Sequence, residues 1–122
     1  FETRTYPAVD AADQLSCRPD FTVLIYPGYL TVKDQGDVVA PDLRLSTNTP
    51  PPFLVMAQDD PVRVENVLNY GVALQRNKVP FSLHVFPSGG HGYGLRRTDN
   101  PVTAWPDRVA DWMRYQGWLR RP

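Results

Sequence analysis

Two short runs in this chain are apolar at nearly every position, and together with a third, mixed run they constrain the fold more than any other feature. The first, Phe21-Thr22-Val23-Leu24-Ile25-Tyr26, is continuous, β-branched and aromatic. Without polar alternation it reads as a strand buried on both faces, as in a parallel sheet. Pro52-Phe53-Leu54-Val55-Met56-Ala57 reads as a second buried strand, and Ser82-Leu83-His84-Val85-Phe86 as a third. Each is closed by turn-forming residues: Pro27-Gly28, Gln58-Asp59-Asp60-Pro61, and the tight loop Pro87-Ser88-Gly89-Gly90-His91-Gly92.

Between the second and third runs, Val64, Val67, Leu68, Gly71 and Leu74 recur at helical spacing until Asn77 and Pro80 stop them. A last helix is predicted from Ala104 to Gln116. Trp105, Val109, Trp112 and Met113 form its apolar stripe, and Gly117 is its C-terminal cap. Residues 30–52 are polar and rich in Pro, Asn and Asp, with room for one helical turn. A loop that long in a compact domain is functional or hides a short element. Strand, loop, strand, helix, strand, helix is the order of an α/β fold: about three parallel strands with crossover helices. So few helices leave such a sheet partly uncovered. The chain therefore reads as one domain, residues 1–122, that either belongs to a larger sheet or buries its open edge against a partner.

Composition narrows the function classes. Thirteen Lys and Arg balance thirteen Asp and Glu, which argues against binding nucleic acid by phosphate neutralisation. The single cysteine, Cys17, excludes a disulfide within the chain and a thiolate zinc cluster. No run reaches the about 18 apolar residues that span a bilayer, so no membrane is expected as a partner. Phe1-Glu2-Thr3-Arg4 lacks the basic-then-apolar pattern of a signal peptide. It also lacks an initiator Met, so this start reads as a boundary. The compartment is left open.

Two loops carry candidate chemistry. Asp59 and Asp60 follow the second strand directly, and His91 follows the third. In open α/β sheets the loops at the carboxyl ends of the strands build the active site. One crossover places these two loops side by side. A carboxylate beside an imidazole fixes its tautomer and stabilises the imidazolium, which equips His91 as general base and acid. Asp-Asp-Pro also reads as a turn with a helix cap, Asp60 capping and Pro61 in the first helical position. A histidine in a Gly-rich loop also reads as a plain exposed residue. His84 reads as a packed or surface strand residue, the three tryptophans as core or interface, and Arg96-Arg97 and Arg120-Arg121 as solvated pairs. Asp10, Asp13 and Glu65 form no defensible metal pattern.

Taken together, Pro52 through Val62, Val64-Glu65-Asn66, Val79-Pro80 and Gly89-Gly90-His91-Gly92-Tyr93-Gly94-Leu95 resemble the C-terminal part of α/β-hydrolase-fold esterases. Pro19-Asp20-Phe21 through Tyr26-Pro27-Gly28-Tyr29 resembles the strand that follows the nucleophile in the same group. The branch is that of acetyl-xylan and feruloyl esterases, related to dienelactone hydrolases and prolyl oligopeptidases. The resemblance implies a partial α/β-hydrolase fold, Asp59 as triad acid, His91 as triad base, and Asp60 as part of the turn. It implies a small ester substrate, an acetylated carbohydrate being one form, and no metal or organic cofactor.

The G-x-S-x-G elbow and the HGGG-type oxyanion motif of that fold are absent from these 122 residues. Ser16, Ser46, Ser82 and Ser88 all lack a glycine elbow, and Cys17 lacks a visible activating partner. The nucleophile is therefore expected outside this chain, with the N-terminal half of the same fold as its partner. Two other readings stand beside this one. One is a non-catalytic module that pairs with a second copy to cover its sheet edge. The other is a small hydrolase using His91 in an unconventional site.

Overall fold

A computed structural model describes residues 4–120. Phe1, Glu2 and Thr3 of the N-terminal stretch and Arg121 of the second basic pair lie outside the described residues. All three expected strands form: β1 at Thr22–Ile25, and β4 and β5 at Pro52–Ala57 and Ser82–Phe86. They pair in parallel in the order β1-β4-β5, with Val23 opposite Phe53 and Val55 opposite His84. Two further strands, β2 at Thr31–Val32 and β3 at Val38–Val39, make a small antiparallel pair. The helices are α1 at Glu65–Arg76 and α2 at Trp105–Tyr115.

The central strand explains the layering. Phe53 through Ala57 are fully buried, and their alternation splits the core in two. Leu54 and Met56 meet Val67, Tyr70 and Leu74 of α1 on one face. Phe53, Val55 and Ala57 meet Tyr93 and Val102 on the other, with Trp105, Val109 and Trp112 of α2 packed alongside. Strand β1 is only half-buried, where its sequence suggested burial on both faces. Among the described residues it pairs on one side only, which leaves its other edge open.

The long loop holds the short element that its length required. Lys33–Gln35 is a 3-10 turn between β2 and β3. Asn66 fastens this hairpin to α1: its Oδ1 accepts from the Leu30 and Thr31 amides at 2.9 and 3.1 Å. Its Nδ2 donates to the Val62 carbonyl at 2.7 Å. Arg63 pairs with Asp37 beside it. Helix α2 ends as Gly117 implied. The Gly117 amide donates to Arg114 and the Trp118 amide to Met113, at 3.1 and 2.9 Å, with Gly117 at a φ of 81°. Trp118 then folds back on Trp112, ring centroids 5.1 Å apart.

His84 occupies a packed strand position, its ring stacked on Phe53 at 4.8 Å and its Nε2 3.0 Å from Ser82 Oγ. Burial, and then the nearby Arg108 charge, push its pKa below the ordinary histidine value. The unfolded chain therefore binds the proton more readily than the folded one. Stability contributed by neutral His84 is present above the unfolded value of 6.5 and is lost as pH falls through the lower folded value. The urea midpoint is expected to drop between pH 7.5 and pH 5.5, and less so in His84→Gln. Equal slopes in the two proteins would remove His84 from the account.

Candidate active site

The carboxyl ends of β1, β4 and β5 converge on one edge of the sheet. From β4 the chain continues into Gln58, whose amide still donates to the Phe86 carbonyl of β5 at 2.7 Å. It then turns sharply. The Arg63 amide donates to the Asp60 carbonyl at 2.9 Å, and the Val62 amide to Asp60 Oδ1 at 2.8 Å. This side-chain turn over Pro61 folds the Asp60 carboxylate inward, where it is 0% exposed. A buried carboxylate left unpaired would cost several kcal/mol. Its partner is His91: Nδ1 lies 2.9 Å from Oδ2 and 3.1 Å from Oδ1.

The aspartate that faces His91 is thus not the one the resemblance implied, while Asp60 does form the turn assigned to it. Asp59 was expected to orient His91 and Asp60 to cap the helix. Instead Asp60 faces the imidazole, and Asp59 Oδ1 accepts the Gly90 amide at 2.8 Å. Helix α1 begins only at Glu65, after a Val64 cap with no side-chain hydrogen bond, so Asp60 does not cap it. The physical reason is the tight turn after Ala57, which leaves Asp59 exposed beside the Gly90 amide and folds the next carboxylate, Asp60, inward toward His91.

The loop from Gly89 to Gly94 is held at several points. Asp59 grips Gly90, the Arg96 guanidinium donates to the Gly92 carbonyl at 3.0 Å, and Trp105 Nε1 donates to the Gly94 carbonyl at 2.8 Å. Arg96 and Arg97 are both exposed, as expected of a solvated pair, and Arg97 pairs with Asp107 at 2.8 Å. His91 keeps 42% of its side chain exposed. With Nδ1–H donated to Asp60, the lone pair sits at Nε2 on the opposite ring edge, available to take a proton.

Tyr26 and Tyr93, which the sequence reading passed over as site residues, complete the wall. The Tyr26 ring lies 4.6 Å from the His91 ring and 4.8 Å from the Tyr93 ring. Tyr93 is buried, and its hydroxyl has no hydrogen-bond partner among the described residues. Burial first, then the Asp60 charge and Tyr26, hold its phenol far above the ordinary tyrosine range. The sequence signal for Tyr26 was its place between a buried strand and Pro27-Gly28.

Of the serines, Ser16 and Ser46 accept the backbone amides of Arg18 and Asn48 within their own turns. Ser82 meets His84 at the start of β5, the end away from Asp60. Among the described residues no group of three or more His, Cys, Asp or Glu side chains could hold a metal ion, and no helix is long and apolar enough to cross a membrane.

This arrangement has known relatives. Residues 11–117 match the prolyl oligopeptidase family. The chain belongs to that family. An acetyl ester-xyloside bifunctional hydrolase from Caldicellulosiruptor lactoaceticus is 33% identical and superposes with a TM-score of 0.80 over 93% of this chain and 48% of its own. A sugar hydrolase from Lactococcus lactis is 28% identical, with a TM-score of 0.63 over 81% of this chain and 49% of its own. Endo-1,4-beta-xylanase B of Butyrivibrio fibrisolvens is 30% identical over 64% of this chain and 15% of its own length. This member of the family thus spans about half the length of the solved structures it resembles and a small part of the xylanase. Its three parallel strands and flanking helices form part of an α/β-hydrolase fold.

Proposed function

We propose that this chain supplies the acid and base of a serine esterase, Asp60 and His91, to a nucleophile that lies outside its 122 residues. The observation that carries the reading is the Asp60–His91 pair: a wholly buried carboxylate 2.9 Å from Nδ1 of a half-exposed imidazole. That is the geometry in which a histidine holds one tautomer and accepts a proton at Nε2. Serine would attack the ester carbonyl as His91 takes its proton. His91 would return that proton to the leaving alkoxide, and water would then release the acid by the same path. The open outer edge of β1 fits a further strand from the segment carrying that serine. An acetyl ester on a carbohydrate is the proposed substrate, supported by the acetyl ester-xyloside hydrolase and the xylanase among the relatives.

The test uses the full product of the reading frame that contains this chain, with p-nitrophenyl acetate, acetylated xylan and a fluorophosphonate probe. Acetate release is expected, with the probe on a serine beyond residues 1–122, and both lost in His91→Ala. Hydrolysis and labelling that persist in His91→Ala, or a folded protein that shows neither, would overturn the reading. The second result would leave a module that only binds.

A further inference from the structure

We propose that Tyr26 is a positioning residue for His91, the fixed peg around which the histidine loop is wound. This rests on His91 acting as the base proposed above. The backbone of Tyr26 is the first indication. Its φ is 41°, in the left-handed region that bulky side chains avoid. Its amide nevertheless completes the parallel ladder, donating to the Val55 carbonyl at 2.8 Å. The chain therefore holds sheet register through Tyr26 and changes direction within that residue. Strain of this kind persists only where the surroundings over-determine it.

What surrounds it is the histidine loop. His91 and Tyr93 are separated by Gly92, whose φ of 75° suits a tight bend. Both rings rest on Tyr26, His91 tilted by 60° and Tyr93 edge-on at 90°. Tyr93 is buried and anchors this clasp, whereas His91 is half-exposed and is held by the Asp60 carboxylate and the Tyr26 ring. A hydrogen bond at Nδ1, beside the point where the ring joins Cβ, restrains that edge of the imidazole and leaves the Nε2 edge room to swing. A second ring 4.6 Å away removes the swing. An aromatic face beside the imidazole also suits the positive charge that His91 carries during proton transfer.

The test separates this role from packing and from the esterase reading. Asparagine tolerates a positive φ, so Tyr26→Asn removes the ring without adding strain. Tyr26→Phe keeps the ring. Tyr26→Gly frees the backbone and stands in if the asparagine variant does not fold. In the intact ¹⁵N-labelled protein, long-range imidazole correlations at alkaline pH report the tautomer, and His84→Gln and His91→Ala assign these two histidines. Wild type and Tyr26→Phe are expected to show His91 protonated at Nδ1. Tyr26→Asn is expected to show the mixed pattern of a free histidine, with the amides of Phe53–Ala57 unchanged. In an ester assay the same variant is expected to lose about 10- to 100-fold in kcat with KM retained. An Nδ1–H pattern that survives in the folded asparagine or glycine variant overturns the proposal. So does a loss confined to KM, which would make Tyr26 a substrate contact. A tautomer change in a protein without hydrolysis would sustain the positioning role and sink the esterase reading alone.

Discussion

Asp60→Asn is expected to lower ester hydrolysis by about 10³- to 10⁴-fold, while Asp59→Asn lowers it by less than about ten-fold. The neighbours differ in what they hold. Asparagine at 60 turns an amide N–H₂ or a single carbonyl toward His91 Nδ1 and still owes an acceptor to the Val62 amide. Satisfying both favours the wrong imidazole tautomer, with the proton on the nitrogen that should accept one. Asparagine at 59 retains the oxygen that accepts the Gly90 amide, so the loop stays anchored and only the charge is lost. Rates for both variants in the full reading-frame product, at matched thermal stability, decide the assignment. A larger loss at 59 than at 60 would return the acid's role to Asp59.

His91 meets Asp60 and not the expected Asp59 for a reason visible at the level of single bonds. Consecutive residues after a strand point to different sides, and the strand alone does not say which reaches the neighbouring loop. The deciding feature is the side-chain turn from Asp60 over Pro61 to Val62. Asp-Pro is a local signal for such a turn, but the same dipeptide is also the signal for a helix cap, and the two compete. The strands were legible because Phe53–Ala57 are apolar on both faces. The helices were legible because Val67 and Leu74 repeat at their period. The hairpin of β2 and β3 was not, since two-residue strands carry no periodicity. Asn66 had a signal that went unread: a polar residue four positions before Tyr70, on the buried stripe of α1, needs partners, and it finds them in Leu30 and Thr31. Tyr26 had none beyond its place at the strand end, because its contacts come from a loop more than sixty residues away.

The site's dependence on close packing gives the largest stability effect. Gly89 opens the histidine loop with a φ of 153°, and a Cβ there would stand 2.5 Å from Val102 Cγ1 and 3.3 Å from Ala57 Cβ. Neither neighbour can yield. Ala57 is the last residue of the central strand, and Val102 is fully buried in a 3-10 turn whose Asn100 cap accepts the Val102 amide at 3.2 Å. Gly89→Ala is therefore expected to destabilise the protein by about 1–3 kcal/mol, a fall in melting temperature of roughly 5–15 °C. Gly90, one residue on, faces open space, so Gly90→Ala costs only its left-handed φ of 61°, about 1–2 kcal/mol. The two differ in what repairs them. Val102→Ala removes the clashing methyl groups and should recover at least about 1 kcal/mol in the Gly89→Ala background, and none in Gly90→Ala. The contact also links stability to chemistry. The same loop backbone presents the Gly90 amide to Asp59 and the His91 ring to Asp60 two residues later. Displacing Gly89 by the width of a methyl group pulls both off their carboxylates. Denaturation midpoints for wild type, the three single variants and the two double variants measure the coupling. A Gly89→Ala variant as stable as wild type, or one that Val102→Ala does not rescue, would show that the close approach at Gly89 does not set the loop.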